Sequence, residues 1–192
     1  MCWVTLTSPL LAHAVQIFME GLSLHYNRLS GSLAQFVGAL VEVTRDDILN
    51  GQQTHFWNLR NLDLSRNTLS GSLPETLSSV STLEWVDFSQ NRLIGAIPEC
   101  YSKLKNLRLL DLHSNRLTGP WLKARTMFKL QSLNLSHNQL GGRLPVDDSL
   151  GRLTSLLILN ISHNKFTGTT STVEYLRMQC VTGRTQVTGL LI

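Results

Sequence analysis

From Leu59 to Gly168 one phrase, L-x-x-L-x-L-x-x-N-x-L-x-G-x-L-P, recurs five times in fixed phase. The first copy reads Leu59, Leu62, Leu64, Asn67, Leu69, Gly71, Leu73, Pro74, and the others start at Leu83, Leu107, Leu130 and Leu156. Their Asn slots, Asn67, Asn91, Asn115, Asn138 and Asn164, recur at a nearly constant interval. Self-similarity at such a period constrains the chain more than any other feature. One unit cannot bury its own apolar face, so like units must stack into a solenoid.

The phrase itself says how a unit is built. In L-x-L the leucines point inward and their neighbours outward, because side chains alternate along a strand. Stacking then pairs the strands into a parallel sheet and merges the leucines into one core, with stability summed over neighbouring coils. The Asn sits where the chain leaves the strand, and its amide can satisfy backbone groups of the turn, so the repeats predict a hydrogen-bonded column from Asn67 to Asn164. Gly a few positions later permits a bend or a close approach, and Pro ends regular pairing. Leading into the strands, Leu77, Val80 and Leu83, then Tyr101, Leu104 and Leu107, then Leu150, Leu153 and Leu156 recur three apart, which suits short helical or 3₁₀ arms.

These residues resemble the plant-type leucine-rich repeat. The phrases Leu62-Asp63-Leu64-Ser65, Leu133-Asn134-Leu135-Ser136-His137-Asn138 and Ile97-Pro98-Glu99-Cys100 look like those of plant receptor-like proteins and receptor-like kinases. The resemblance implies an α/β solenoid: a right-handed superhelix with a parallel concave sheet and helical or 3₁₀ convex arms. It identifies a fold, and function must be argued from a site.

The rest of the chain departs from the phrase. Residues 1–18 are apolar and uncharged but lack the positive first region of a secretory signal, and read as a degenerate N-terminal segment. The repeat domain is expected over 19–168, with an upstream copy at Met19, Leu22, Leu24, Asn27, Leu29, Gly31 and Leu33. Projecting the period from that copy fits Leu40 and Val43 but puts Asp46 in a core slot. The interval from Asn27 to Asn67 falls short of two full periods, so 44–56 is expected to be a broken coil or a surface loop of the kind that contacts ligands in some family members. Residues 169–192 are expected to be a divergent tail, because the projected slots fall on Arg177, Cys180, Gly183, Thr185 and Thr188. Plant relatives usually carry cysteine pairs in both caps. Here Cys2, Cys100 and Cys180 are an odd set, Cys100 is expected to be a buried thiol, and the pattern suggests a fragment or an eroded copy of a longer receptor.

Composition excludes some classes. With 42% hydrophobic and 16% charged residues the chain can bury a continuous core, and no apolar run is long enough to span a bilayer. A net charge of +4 is modest. Nucleic acid is not an expected partner, since Lys and Arg scatter along the chain, many at the slot after Asn (Arg28, Arg92, Arg116, Lys165), where solvated turns account for them. There is no phosphate loop, kinase phrase or cysteine cluster, and Asp111 with His113 has no pocket or oxyanion donors beside it. Neither an enzyme, nor a metal site, nor a cofactor is expected.

Function is therefore sought on the outward residues of the concave strands. Asn61, Trp85, Leu109, Ser132 and Ile158 form one column, and Asp63, Asp87, Asp111, Asn134 and Asn160 the next. A third holds Ser65, Ser89, His113, Ser136 and Ser162, and a fourth Arg66, Gln90, Ser114, His137 and His163. Outward apolar groups at Trp85, Leu109 and Ile158 are the kind of anchor around which hot spots form, and three stacked carboxylates would welcome a basic group. His137 and His163 share a column, a pair for a metal or a proton, although the family phrase L-S-H-N explains both. Asn134-Leu135-Ser136 and Asn160-Ile161-Ser162 fit the N-glycosylation signal, with both amides expected to face solvent. The resulting expectation is a recognition module: part of a receptor ectodomain acting in signalling or defence. It binds a protein or peptide ligand, with a co-receptor as further partner, and is extracellular with any membrane anchor outside the sequence. The alternatives are a soluble inhibitor similar to polygalacturonase-inhibiting proteins, or a copy without function.

Overall fold

The computed structural model describes residues 20–42, 58–122, 124, 126–144, 153–168 and 186–188. The segments 1–18 and 44–56, Cys2, Cys180, Leu150 and most of the tail lie outside the described residues.

The L-x-L strands stack as the spacing requires. β1 (Gly21–Ser23), β3 (Asn61–Asp63), β5 (Trp85–Asp87), β7 (Leu109–Asp111), β9 (Ser132–Asn134), β11 (Ile158–Asn160) and β13 (Gln186–Thr188) form one parallel sheet in that order. Its register puts Leu22 opposite Leu62, then Val86, Leu110, Leu133, Leu159 and Val187. Just beyond these strands, Leu64, Phe88, Leu112, Leu135 and Ile161 are all buried, a continuous core column.

Two features of this sheet depart from the sequence expectation. β1 pairs directly with β3, so the long interval between Asn27 and Asn67 inserts no rung between them in this sheet, and Leu40 lies on α1 (Leu33–Glu42) rather than in a coil of its own. That helix takes the place of a short arm and packs on the next arm and strand. The sheet also continues past Gly168, because Gln186–Thr188 pairs with β11. The step from Leu159 to Val187 is longer than any in the regular run, so a projection at the usual period misses it.

A second parallel sheet runs along the solenoid, where the sequence suggested only bends. β2 (Ser30–Ser32), β4 (Thr68–Ser72), β6 (Arg92–Gly95) and β8 (Arg116–Leu117) pair in order, and β10 (Gly141–Arg143) pairs with β12 (Lys165–Thr167). Hydrogen bonds from Gln139 N–H to Leu117 O and from Gly141 N–H to Gly119 O, each 2.8 Å, join the two groups. Its register, Ser70 to Arg92 and Ile94 to Arg116, takes a shorter step per coil than the concave strands do. Equivalent slots therefore step diagonally across this face.

The arms match the three-residue spacing. 3₁₀ turns span Glu75–Ser79 and Glu99–Lys103, and bonds from Val80 N–H to Leu77 O, Leu83 N–H to Val80 O, Leu104 N–H to Tyr101 O and Leu107 N–H to Leu104 O repeat it. Leu77, Leu83, Tyr101, Leu104 and Leu107 are buried as expected. Cys100 is only half-buried, with Sγ 3.7 Å from Glu75 O, because it sits one residue off the inward stripe of its turn.

The Asn column is hydrogen-bonded as predicted, and it is directional. Asn91 Nδ2 donates to Phe88 O and Ser89 O of its own coil and to Leu64 O of the preceding one, while its Oδ1 accepts from Leu69 N–H of that preceding coil. Asn67, Asn115, Asn138 and Asn164 repeat the pattern. Asn27, in the first described coil, bonds Leu24 O and His25 O and no other partner among the described residues, and is exposed.

Candidate ligand-binding face

The concave strands present the predicted first column with uneven exposure. Trp85 is 47% and Ile158 48% exposed, Asn61 is exposed, and Leu109 is half-buried between its neighbours. Trp85 lies opposite both Asn61 and Leu109 in register, so its indole has a polar flank on one side and an aliphatic one on the other.

A neighbouring column was not singled out from sequence. Arg60 Nη1 lies 2.6 Å from Glu84 Oε1 and Arg108 Nε lies 3.2 Å from Glu84 Oε2, so one carboxylate ties three consecutive coils at the strand entrance. The signal was present as charges of opposite sign one period apart.

The Asp column is half-buried and largely occupied by its own strand ends. Asp63 Oδ1 accepts from Ser65 N–H and Oγ–H, Asp87 Oδ1 from Ser89 N–H, and Asp111 Oδ1 from His113 N–H. Asn134 and Asn160 do the same for Ser136 and Ser162. This is an Asx turn repeated coil by coil, a structural reason for an Asp or Asn in this slot. Asp111 Oδ2 also accepts from Asn134 Nδ2 at 3.2 Å, and His25 Nδ1 lies 3.4 Å from Asp63 Oδ2. Burial raises the Asp87 carboxyl above its ordinary value, the Ser89 bonds oppose this, and repulsion from Asp111 and Asp63 adds to it.

The third column is mostly turned away from solvent, with His113 and Ser162 half-buried. Ser65, Ser89 and Ser136 are buried, since their hydroxyls or amides turn back onto the Asx side chain. His113 takes the same place: its Nδ1 is 2.7 Å from Asp111 Oδ1, and Nε2 is 3.3 Å from Gln90 Nε2. With the proton on Nδ1, Nε2 accepts from the Gln90 amide, and the dyad is a tie between coils without a nucleophile hydrogen-bonded to it.

The fourth column lies on the turn, beyond the sheet. Arg66, Gln90, Ser114, His137 and His163 all have φ of 53–54°, the left-handed region. Arg66 therefore stands at the rim of the face, with its guanidinium 6.0 Å from the Tyr26 ring. His137 and His163 stack with centroids 4.1 Å apart and planes 19° off parallel. Near-parallel rings aim their lone pairs side by side rather than at a common point, a poor geometry for chelation. Among the described residues no group of three His, Cys, Asp or Glu is placed to hold a metal ion.

The glycosylation candidates lie on the outward side of β9 and β11 but are half-buried. Asn134 Nδ2 is engaged by Asp111, and both Oδ1 atoms are held in Asx turns.

Comparison with known proteins agrees with this geometry. Three family models described as leucine rich repeat match residues 58–117, 129–149 and 152–169, together just over half of the chain. No curated protein matches by sequence. Among solved structures, the Arabidopsis receptor kinase HAESA in complex with the peptide hormone IDA and the co-receptor SERK1 is 30% identical over 89% of this chain and 25% of its own, with a TM-score of 0.68. The ectodomain of the receptor kinase SOBIR1 from Arabidopsis thaliana is 28% identical over 77% of this chain and 71% of its own, at 0.62. A plant ice-binding protein is 29% identical over 81% and 44%, at 0.65. The chain thus spans about a quarter of the length of the hormone receptor, and the same coil serves proteins with unlike tasks.

Proposed function

The chain belongs to the leucine-rich repeat proteins of the plant type, and from that premise we propose that its concave sheet is a non-enzymatic recognition surface for a peptide or protein segment. The observation that carries this reading is the outward Trp85, 47% exposed on an ordered strand, with Leu109 beside it and Ile158 further along the same column. A rigid aromatic on a flat sheet offers an anchor at little entropic cost, and the half-buried carboxylate of Asp87 next to it supplies direction. The solved relatives in complex with a peptide hormone and a co-receptor support a peptide ligand and a second receptor chain as partners. They also support a place outside the cell as part of a receptor-like ectodomain, with signalling as the outcome; defence is the finer reading within this proposal. No helix among the described residues is long and apolar enough to cross a membrane.

N-glycans at Asn134 and Asn160 would cover the concave face over the last coils and leave the stretch from Asp63 to Asp111 open. Asn160 is the better acceptor of the two, since attachment at Asn134 breaks its bond to Asp111.

A displayed random-peptide library selected on the full chain tests the reading. Enriched peptides are expected to bind wild type and to lose binding to Trp85→Ala combined with Asp87→Ala. Equal binding to the double variant eliminates this patch.

A further inference from the structure

Of the three stacked carboxylates on the concave sheet, Asp87 is the one that the neighbouring rungs leave unsatisfied. Asp63 Oδ2 lies 3.5 Å from Ser23 Oγ and 3.4 Å from His25 Nδ1, both of the preceding rung, and Asp111 Oδ2 accepts from Asn134 Nδ2 of the following one. Asp87 accepts from Ser89 at its own strand end, and among the described residues no group of an adjoining rung donates to it. What it has on either side, in register, is Asp63 and Asp111. Like charges about 4.8 Å apart from rung to rung repel, and a cation set against the middle carboxylate relieves both pairs at once.

The same strand supplies the other half of the patch. Trp85 and Asp87 alternate across Val86, so both face out, about 6.7 Å apart along β5. The indole is 47% exposed, and Leu109 lies beside it on the next rung. An aromatic face attracts a cation, and the aliphatic neighbour offers a dry side to a methylene stem. Charge also varies along the strand. At its entrance Arg60 and Arg108 share Glu84, and at its exit stand the carboxylates. A cationic group on the indole is therefore pushed from the entrance and drawn toward Asp87.

These features favour a guanidinium. A planar group can lie on the indole and still turn an N–H edge to the Asp87 carboxylate, whereas an ammonium is a compact, strongly hydrated point charge that gives up more water to do the same. An acidic segment would be repelled by the carboxylate column, and an apolar one would cover Asp87 without giving it a donor.

We infer that this patch takes one arginine side chain of the bound segment: its guanidinium lies on Trp85 and donates to Asp87, and its methylenes rest on Leu109. The assignment rests on the reading of the concave sheet as a peptide surface, and it names the residue which that surface selects.

The test follows the indole N–H resonance of Trp85 in the isotope-labelled full chain, identified by its loss in Trp85→Phe, during titration with the acetylated and amidated tripeptide Gly-Arg-Gly. The expected result is a saturable shift. Gly-citrulline-Gly, which keeps the shape and loses the charge, should bind at least about tenfold more weakly, the scale of one lost charge-assisted contact. Gly-Lys-Gly should also bind more weakly. Asp87→Asn should weaken the arginine peptide by a similar factor, and the variant keeps its turn, since an amide serves the same bonds at Asn134 and Asn160. Glu75→Gln, which removes a carboxylate from a convex arm, should leave the titration unaltered. Absence of a shift, an equal response to the citrulline or lysine peptide, or an equal response of Asp87→Asn and wild type overturns the arginine assignment. The peptide selection separates this from failure of the surface itself. Enriched peptides that depend on Trp85 and Asp87 but lack arginine keep the surface and sink the assignment, whereas no such peptides together with no shift removes both.

Discussion

At the scale of single residues, the Asx slot and the Asn column carry most of the specificity. Asp87 has a carboxyl raised by burial, so the folded state holds its proton more tightly than the unfolded state does. Its contribution to stability is then most favourable in acid and is lost as pH rises from the ordinary carboxylate value through the folded one. Asn134 and Asn160 show that an amide serves the same turn. Asp87→Asn is therefore expected to stabilise the protein by roughly 0.5 kcal/mol at neutral pH, the scale of a relieved like-charge pair on a sheet. Urea unfolding across pH should show that gain shrinking toward zero in acid. Asn91→Ala removes the partner of one amide and several carbonyls at once and should cost about 3 kcal/mol. Asn27→Ala, whose side chain among the described residues serves its own exposed turn alone, should cost less than about 1 kcal/mol by the same measure.

At the scale of elements, the second sheet depends on close approach between coils. Gly119 has φ +89°, and a β-carbon there would lie 2.9 Å from Ala96 Cβ on the neighbouring coil. Gly119→Ala should cost about 1–3 kcal/mol for the backbone alone, and more once the contact is added. Gly142 has a similar φ but nothing within 4 Å, so Gly142→Ala should lower the denaturation midpoint less. This sheet was hidden in the sequence because its L-x-G-x-L strands are short, broken by glycine and followed by proline, all of which read as a turn. The concave strands were legible, since Leu62-Asp63-Leu64 fixes both the period and the inward face. Exposure was less legible. Alternation gives the direction of a side chain, but not that Ser89 or His113 would fold back onto the residue two before it.

At the scale of the whole molecule, the coils form a one-dimensional stack, and a stack tolerates removal of a complete period. Deleting residues 83–106 should bring Asn61 opposite Leu109 and preserve the leucine columns, because β3 and β7 bear the same relation to β5 on its two sides. The shortened chain should remain folded, in the same oligomeric state as the full chain and with a lower melting temperature, by dichroism and gel filtration. Aggregation or loss of cooperative melting would show that the coils are not interchangeable. The period itself was plain from five Asn slots. The first and last rungs were not, since the intervals from Asn27 to Asn67 and from Leu159 to Val187 depart from the regular step and follow from none of the others.

The one-way reach of the Asn column has a consequence for how such a chain is made. Leu69 N–H waits for Asn91, Leu93 N–H for Asn115, Leu117 N–H for Asn138 and Leu140 N–H for Asn164, each supplied by sequence that comes later. A rung emerging from the ribosome is left unsealed until its successor follows it out of the tunnel, so the newest part of the nascent chain is always the part with open bonds.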